Sequence, residues 1–146
     1  MFSKRTARDI MTENVITVKP DVLVTDMIKL FIQWHISGLP VVDSEANLLG
    51  IVTEYDIMNF VMSGDATNTT ASEVMTKDVQ TCPPDTLVSS IINSFALHRI
   101  RRVPIVEGRK VVGIVSRRDI VKEMDRIYSE LINQKDSQDE HGHQDS

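Results

Sequence analysis

Two short motifs carry most of the chemistry that this sequence offers. Thr53-x-x-Asp56 follows the apolar run "LLGIV", and Ser116-x-x-Asp119 follows "VVGIV". Each sets a hydroxyl and a carboxylate where a strand-like run gives way to a helix-like one. An ionised carboxylate has only acceptors, so it takes both hydroxyl protons of a vicinal diol such as ribose. The hydroxyl and the free N–H groups of a helix start can meet an anion. The same spacing is also a capping box, in which hydroxyl and carboxylate satisfy backbone donors. The two roles are compatible.

A third feature is the basic stretch "HRIRRVPIV", residues 98–106. His98 and Arg99 read as the close of a helix, where positive charge complements the dipole. Arg101 and Arg102 stand between that helix and the apolar Val103-Pro104-Ile105. The planar guanidinium fork suits phosphate, which it grips through two hydrogen bonds. One charge-assisted bond contributes roughly 1.5–3 kcal/mol, so losing it costs more than about tenfold in affinity. Arg117 and Arg118 add charge beside Asp119, and Arg118 is counted with the site. The competing readings are a solvated charge run, exposed first-turn residues, or salt bridges to a partner subunit.

The elements that position these residues occur twice. "ARDIMTENVITVKPDVLV" from Ala7 matches "ASEVMTKDVQTCPPDTLV" from Ala71. "ISGLPVVD" from Ile36 matches "IRRVPIVE" from Ile100, and "GIVTEYDI" from Gly50 matches "GIVSRRDI" from Gly113. Each copy reads as β-α-β-β-α. "VITV" (15–18) and "VQTC" (79–82) are β-prone. Val24, Met27, Ile28 and Phe31, like Val88, Ile91, Ile92 and Phe95, fall on one helix face. "LPVVD" with "LLGIVT", and "VPIVE" with "VVGIVS", read as paired strands. Thr6-x-x-Asp9 and Thr70-x-x-Glu73 are capping boxes that open a short leading helix in each copy. The expected organisation is α+β, with residues 1–62 as the first repeat, 63–70 as linker and 71–133 as the second. A polar tail over 134–146 is expected to be disordered. Each half alone would bury too little surface, so the two are expected to pack about a pseudo-twofold axis.

Composition narrows the function classes. The chain has 146 residues, 41% apolar and 25% charged, with a net charge of -5. That balance argues against general nucleic-acid binding, so any anion site must be local. One cysteine, Cys82, excludes an internal disulfide. No segment has the length of a signal core or a membrane span, and a cytoplasmic protein without membrane insertion is expected. Neither a nucleophile-base pair nor a repeated metal-ligand pair stands out. The "HGH" at 141–143 carries little weight as a metal site, and no cofactor or catalytic residue is expected.

This tandem pattern, with its apolar-Pro-Val strand and G-I-V-[ST]-x-x-D element, resembles the CBS domain, two of which form a Bateman module. The resemblance covers Ala7 to about Met124. It implies a regulatory module, not an enzyme, that binds an adenosine-containing ligand such as AMP, ADP, ATP or S-adenosylmethionine. It implies a homodimer, which the apolar face of the last helix (Ile120, Val121, Met124, Ile127, Leu131) could extend. It also implies an unidentified regulated enzyme or transporter; the residues outside the repeats are too few for an attached effector domain. By the same resemblance the aspartates hold ribose and the basic pair holds phosphate. Thr81, Cys82 and Pro83 with Val103 and Pro104 would line the second cleft. Thr17, Val18 and Lys19 with Leu39 and Pro40 would line the first. Ser37 and Gly38 stand where the second copy has Arg101 and Arg102, and Glu54 and Tyr55 where it has Arg117 and Arg118. The second cleft is therefore expected to be the better anion site. The alternative is a ligand-free interaction module that docks on an enzyme or transporter.

Overall fold

A computed structural model describes the backbone of residues 4–144 and the side chains of residues 4–136. Helix α1 (Ala7–Ile10) is followed by α2 (Val24–Trp34), β1 (Gly38–Val42), β2 (Leu48–Thr53) and α3 (Glu54–Val61). The series then repeats as α4 (Ala71–Val74), α5 (Val88–His98), β3 (Arg102–Glu107), β4 (Lys110–Ser116) and α6 (Arg117–Gln144). The chain is a mixed α+β tandem, with one antiparallel hairpin sheet per repeat. Both hairpins carry a register shift at the same place, between Val41 and Val42 and between Ile105 and Val106. The shorter second turn closes on Gly108 at φ 65°, whereas the longer first turn is held by Asp43, whose carboxylate accepts from the Glu45 and Asn47 amides.

Each β-prone segment ahead of the proline is reduced to a single parallel bridge, Val18 to Val41 and Cys82 to Ile105. The Val18 amide donates to the Pro40 carbonyl at 3.0 Å, and the Val42 amide to Val18 at 2.9 Å. The next rung of a parallel ladder would need an amide at Pro20, or at Pro84 in the second copy. Proline has none, so both strands stop after one residue.

The leading helices are exchanged between the repeats. Ala7, Ile10 and Met11 pack into the core of the second repeat, with Val88, Ile91, Val103, Ile105, Val115 and Ile120. Ala71, Val74 and Met75 pack into the core of the first, with Val24, Met27, Leu39, Val41 and Val52. Both predicted capping boxes form. The Thr12 and Ile114 backbones exchange two hydrogen bonds of 2.9 and 3.0 Å, and Thr76 and Ile51 do the same at 2.8 and 2.9 Å. Each hairpin is thus bridged on one edge by its own repeat and on the other by the partner repeat. A Cβ at Gly113 would come within 2.4 Å of the Met11 sulfur, and one at Gly50 within 2.7 Å of the Met75 sulfur. A side chain at Gly113 would force Met11 to shift, and one at Gly50 would also meet the Thr76 carbonyl at 2.7 Å.

Neither half is self-contained, since each core is completed by the helix that opens the other copy. One expectation needs correction. The stretch from Gln134, expected to be disordered, continues α6 as far as Gln144. Once a helix is nucleated and anchored by a packed turn, adding polar residues with adequate propensity is easy, and the buried Ile120 and Ile127 supply that anchor. His141 and His143 lie outside the residues whose side chains are described, as does the end of the tail.

A candidate anion-binding cleft

Both carboxylates cap the start of their helix, Asp56 in a full capping box with Thr53 and Asp119 by accepting from the Ser116 amide, and both keep an oxygen in reserve. Asp119 Oδ2 accepts from the Ser116 amide at 2.8 Å and the Ser116 hydroxyl at 3.1 Å. Asp56 Oδ2 accepts from the Thr53 amide at 2.8 Å and its hydroxyl at 3.0 Å, while the Asp56 amide donates back to Thr53 Oγ1. The second oxygen of each carboxylate meets only a long bond of 3.4 Å, from Thr12 to Asp119 and from Thr76 to Asp56. Capping therefore occupies one oxygen and leaves Oδ1 weakly engaged.

Asp119 opens on a cleft of about 480 Å3. Its walls come from both repeats. The segment leaving α1 contributes Thr12, Asn14, Val15 and Ile16, and the approach to β1 contributes His35, Ile36, Ser37 and Gly38. The second repeat contributes Arg101, Arg102, Ile114, Ser116, Arg117, Arg118 and Lys122, and α3 adds Glu54. Apolar side chains line part of the wall, and five basic side chains share the lining with two carboxylates.

Arg102 spans the two repeats. Its Nη2 and Nε donate to Ser37 Oγ at 2.8 and 3.2 Å. Its Cδ lies 2.5 Å from where a Cβ on Gly38 would stand. Gly38 is the residue that replaces Arg102 in the first copy, so the small side chain on one side of the axis makes room for the large one from the other. Burial, and then the neighbouring Arg101, hold the Arg102 pKa below the ordinary guanidinium value.

The structure brings Arg101, Arg102, Arg118, Ser116 and Asp119 together in this cleft. Thr81, Cys82 and Val103 instead line a separate crevice of about 70 Å3 with Ile91 and Ile100, and burial raises the Cys82 thiol pKa. Pro83 lies on another surface depression beside Thr6 and Arg8. Leu39, Val18, Pro40 and Pro104 are buried in strands or bridges, Thr17 lies next to the Val18 bridge, and the Lys19 ammonium donates to the Asp43 carbonyl at 2.7 Å. None of these residues lines the Asp119 cleft. The exchange of leading helices explains the difference: the chain leaving α1 crosses the mouth of the second repeat's cleft, so its walls come from the first copy. Thr12, Asn14, Val15, Ile16, His35, Ile36, Ile114 and Lys122 were missed, although the repeated Met-Thr pair at 11–12 and 75–76 was the available signal for Thr12. Asp56 and Thr53 stand by pseudo-symmetry in the corresponding place of the first repeat and do not line this cleft, although the Asp56 charge acts on Arg102. Among the described residues no group of histidine, cysteine and carboxylate side chains is arranged to hold a metal ion.

A sequence profile described as "CBS domain" matches twice, over residues 7–63 and 71–126. This chain belongs to the CBS-domain family. The CBS domain pair of protein MJ0100, solved in complex with 5'-methylthioadenosine and S-adenosyl-L-methionine, superposes with a TM-score of 0.75 at 30% identity, over 83% of this chain and 96% of that one. A structure from Vibrio cholerae, named for acetoin utilization (AcuB), gives a TM-score of 0.81 at 27% identity, over 86% and 93%. Inosine-5'-monophosphate dehydrogenase of Methanocaldococcus jannaschii is 37% identical over 117 residues, which are 80% of this chain and 23% of that enzyme. Uncharacterized protein MJ1225 of the same organism is 29% identical over 115 residues, 79% of this chain and 41% of its own length. The chain thus spans less than half of these two relatives, and the match to the dehydrogenase falls on this CBS pair alone.

Proposed function

We propose that this CBS pair is a regulatory module that binds an adenosine-containing ligand in the Asp119 cleft and acts by binding, not by catalysis. The observation that carries the reading is the weakly engaged Oδ1 of Asp119, in a cleft lined by apolar side chains and five basic ones. In this reading Asp119 accepts the ribose hydroxyls, Ile16, Ile36 and Ile114 flank the base, and Arg101, Arg102 and Arg118 meet phosphate. The adenosyl ligands named for the MJ0100 structure support the ligand class. The Asp56 side lacks basic residues at the positions of Arg101, Arg102, Arg117 and Arg118, and is the weaker anion site. Because the cleft is walled by both repeats, a ligand changes their relative packing by the difference in its affinity for the two arrangements.

Calorimetry against AMP, ATP and S-adenosylmethionine at two salt concentrations tests this. Salt-sensitive binding of a nucleotide, reduced at least about tenfold by Arg102→Ala, is expected. Binding of no adenosyl ligand to folded, nucleotide-free protein would overturn it.

A second reading has its own observation. Helices α3 and α6 leave Tyr55, Met58 and Val61, and Val121, Tyr128 and Ile132, exposed. Ile120, by contrast, packs into the core of the second repeat, and Ile127 is buried. The exposed face suits a homodimer or a docked enzyme or transporter, and it is compatible with a ligand-binding cleft.

A further inference from the structure

We infer that the Asp119 cleft selects a nucleoside polyphosphate over a nucleoside monophosphate or a cationic adenosyl compound. The inference rests on the proposed adenosine-ligand site and adds the charge class of its occupant. Five permanent cations line the cleft, Arg101, Arg102, Arg117, Arg118 and Lys122, against two lining carboxylates, Glu54 and Asp119, with Asp56 also within electrostatic reach of Arg102. Among the described residues, none of the five forms a salt bridge within 4 Å of a carboxylate. The side-chain hydrogen bonds of Arg102 go to the neutral Ser37 hydroxyl. A monophosphate carries about two negative charges near neutral pH, fewer than the five cations that line the cleft. A polyphosphate chain carries more and can touch more of the cations at once. A sulfonium ligand would add to the repulsion.

The placement agrees with the count. Lys122 lies three residues beyond Asp119 on α6, on the same helix face and about 5 Å further along the axis. Arg117 and Arg118 stand in the first turn, and Arg101 and Arg102 at the mouth of β3. Along α6 the cations therefore flank Asp119 on both sides. The first repeat serves as an internal control. Its five corresponding positions are Ser37, Gly38, Glu54, Tyr55 and Asn59, and none is basic.

The test is calorimetry of the full chain with ATP, ADP, AMP and S-adenosylmethionine, free of divalent cations, at one fixed ionic strength. Affinity is expected to rise at least about tenfold from AMP to ATP, with ADP between and S-adenosylmethionine weakest. Lys122→Gln, at an exposed position, should weaken ATP at least about threefold more than AMP. Equal affinities for AMP and ATP, tighter binding of S-adenosylmethionine, or an equal effect of Lys122→Gln on AMP and ATP would overturn the charge-class inference and leave the adenosine-ligand reading standing. Binding of none of the four would overturn both.

Discussion

Asp119 divides its two oxygens between two tasks. Oδ2 caps α6 through Ser116, and Oδ1 is left for the cleft with only the long bond from Thr12. The motif could be read as a cap or as a diol acceptor, and the geometry accommodates both. At this scale the types of chemistry were legible in the sequence, because acceptor-only carboxylates and guanidinium forks are properties of residues. Which residues share a cleft was not, because that depends on where a distant segment crosses. Arg102 illustrates the point: its partner Ser37 lies 65 positions away. Gly38→Ala would place a methyl 2.5 Å from the Arg102 Cδ and force the side chain off Ser37. The expected result is a severalfold loss of nucleotide affinity, with no further loss when combined with Arg102→Ala, as coupled neighbours show in a double-mutant cycle. Additive losses measured by calorimetry would contradict this.

The helices and hairpins were legible from period and repeat. Val24, Met27, Val88 and Ile91 are buried as their spacing required. The pairing of leading helices with cores was not legible, since the capping boxes mark where α1 and α4 start but not which hairpin each covers. Deleting residues 1–12 is therefore expected to expose the core of the second repeat, not the first. Hydrogen exchange should accelerate in β3 and β4 more than in β1 and β2; the reverse order would refute the exchange. An ion pair fastens the same junction. Glu123, almost fully buried, accepts two hydrogen bonds from Arg126 and two from Arg5, at 2.6 to 3.2 Å. The Arg126 and then the Arg5 hydrogen bonds bring its pKa down to about 2. A carboxylate lowered in the folded state contributes stability above its unfolded pKa, near 4.3, and that contribution fades as pH falls towards 2. The urea midpoint should drop over this window, and Glu123→Gln should flatten the drop. An unchanged slope in the variant would place the acid sensitivity elsewhere.

For the whole molecule, pseudo-twofold symmetry is a property of the backbone and its absence a property of the charges. Bridges, bulges and capping boxes recur in both copies, while the basic side chains gather on one side. This asymmetry explains how a chain of net charge -5 offers a locally positive cleft. The apolar residues left outside on α3 and α6 are expected to pair two copies. Replacing Val121 and Tyr128 together with glutamate should turn a dimer into a monomer in light scattering at micromolar concentration without lowering helix content. A wild-type chain that is monomeric at the same concentration would remove the homodimer and leave the face to another partner.

The most direct test of the account is a paired substitution, Asp119→Asn and Asp56→Asn, followed by ATP calorimetry and thermal melting of each variant. Asparagine can keep the cap by turning its carbonyl to the backbone donor, which leaves an amide NH2, a donor, facing the cleft. The account predicts at least about a tenfold loss of ATP affinity for Asp119→Asn, a small change for Asp56→Asn, and melting within a few degrees of wild type for both. Equal affinity losses in the two variants, or a loss of stability in Asp119→Asn with affinity unchanged, would contradict it.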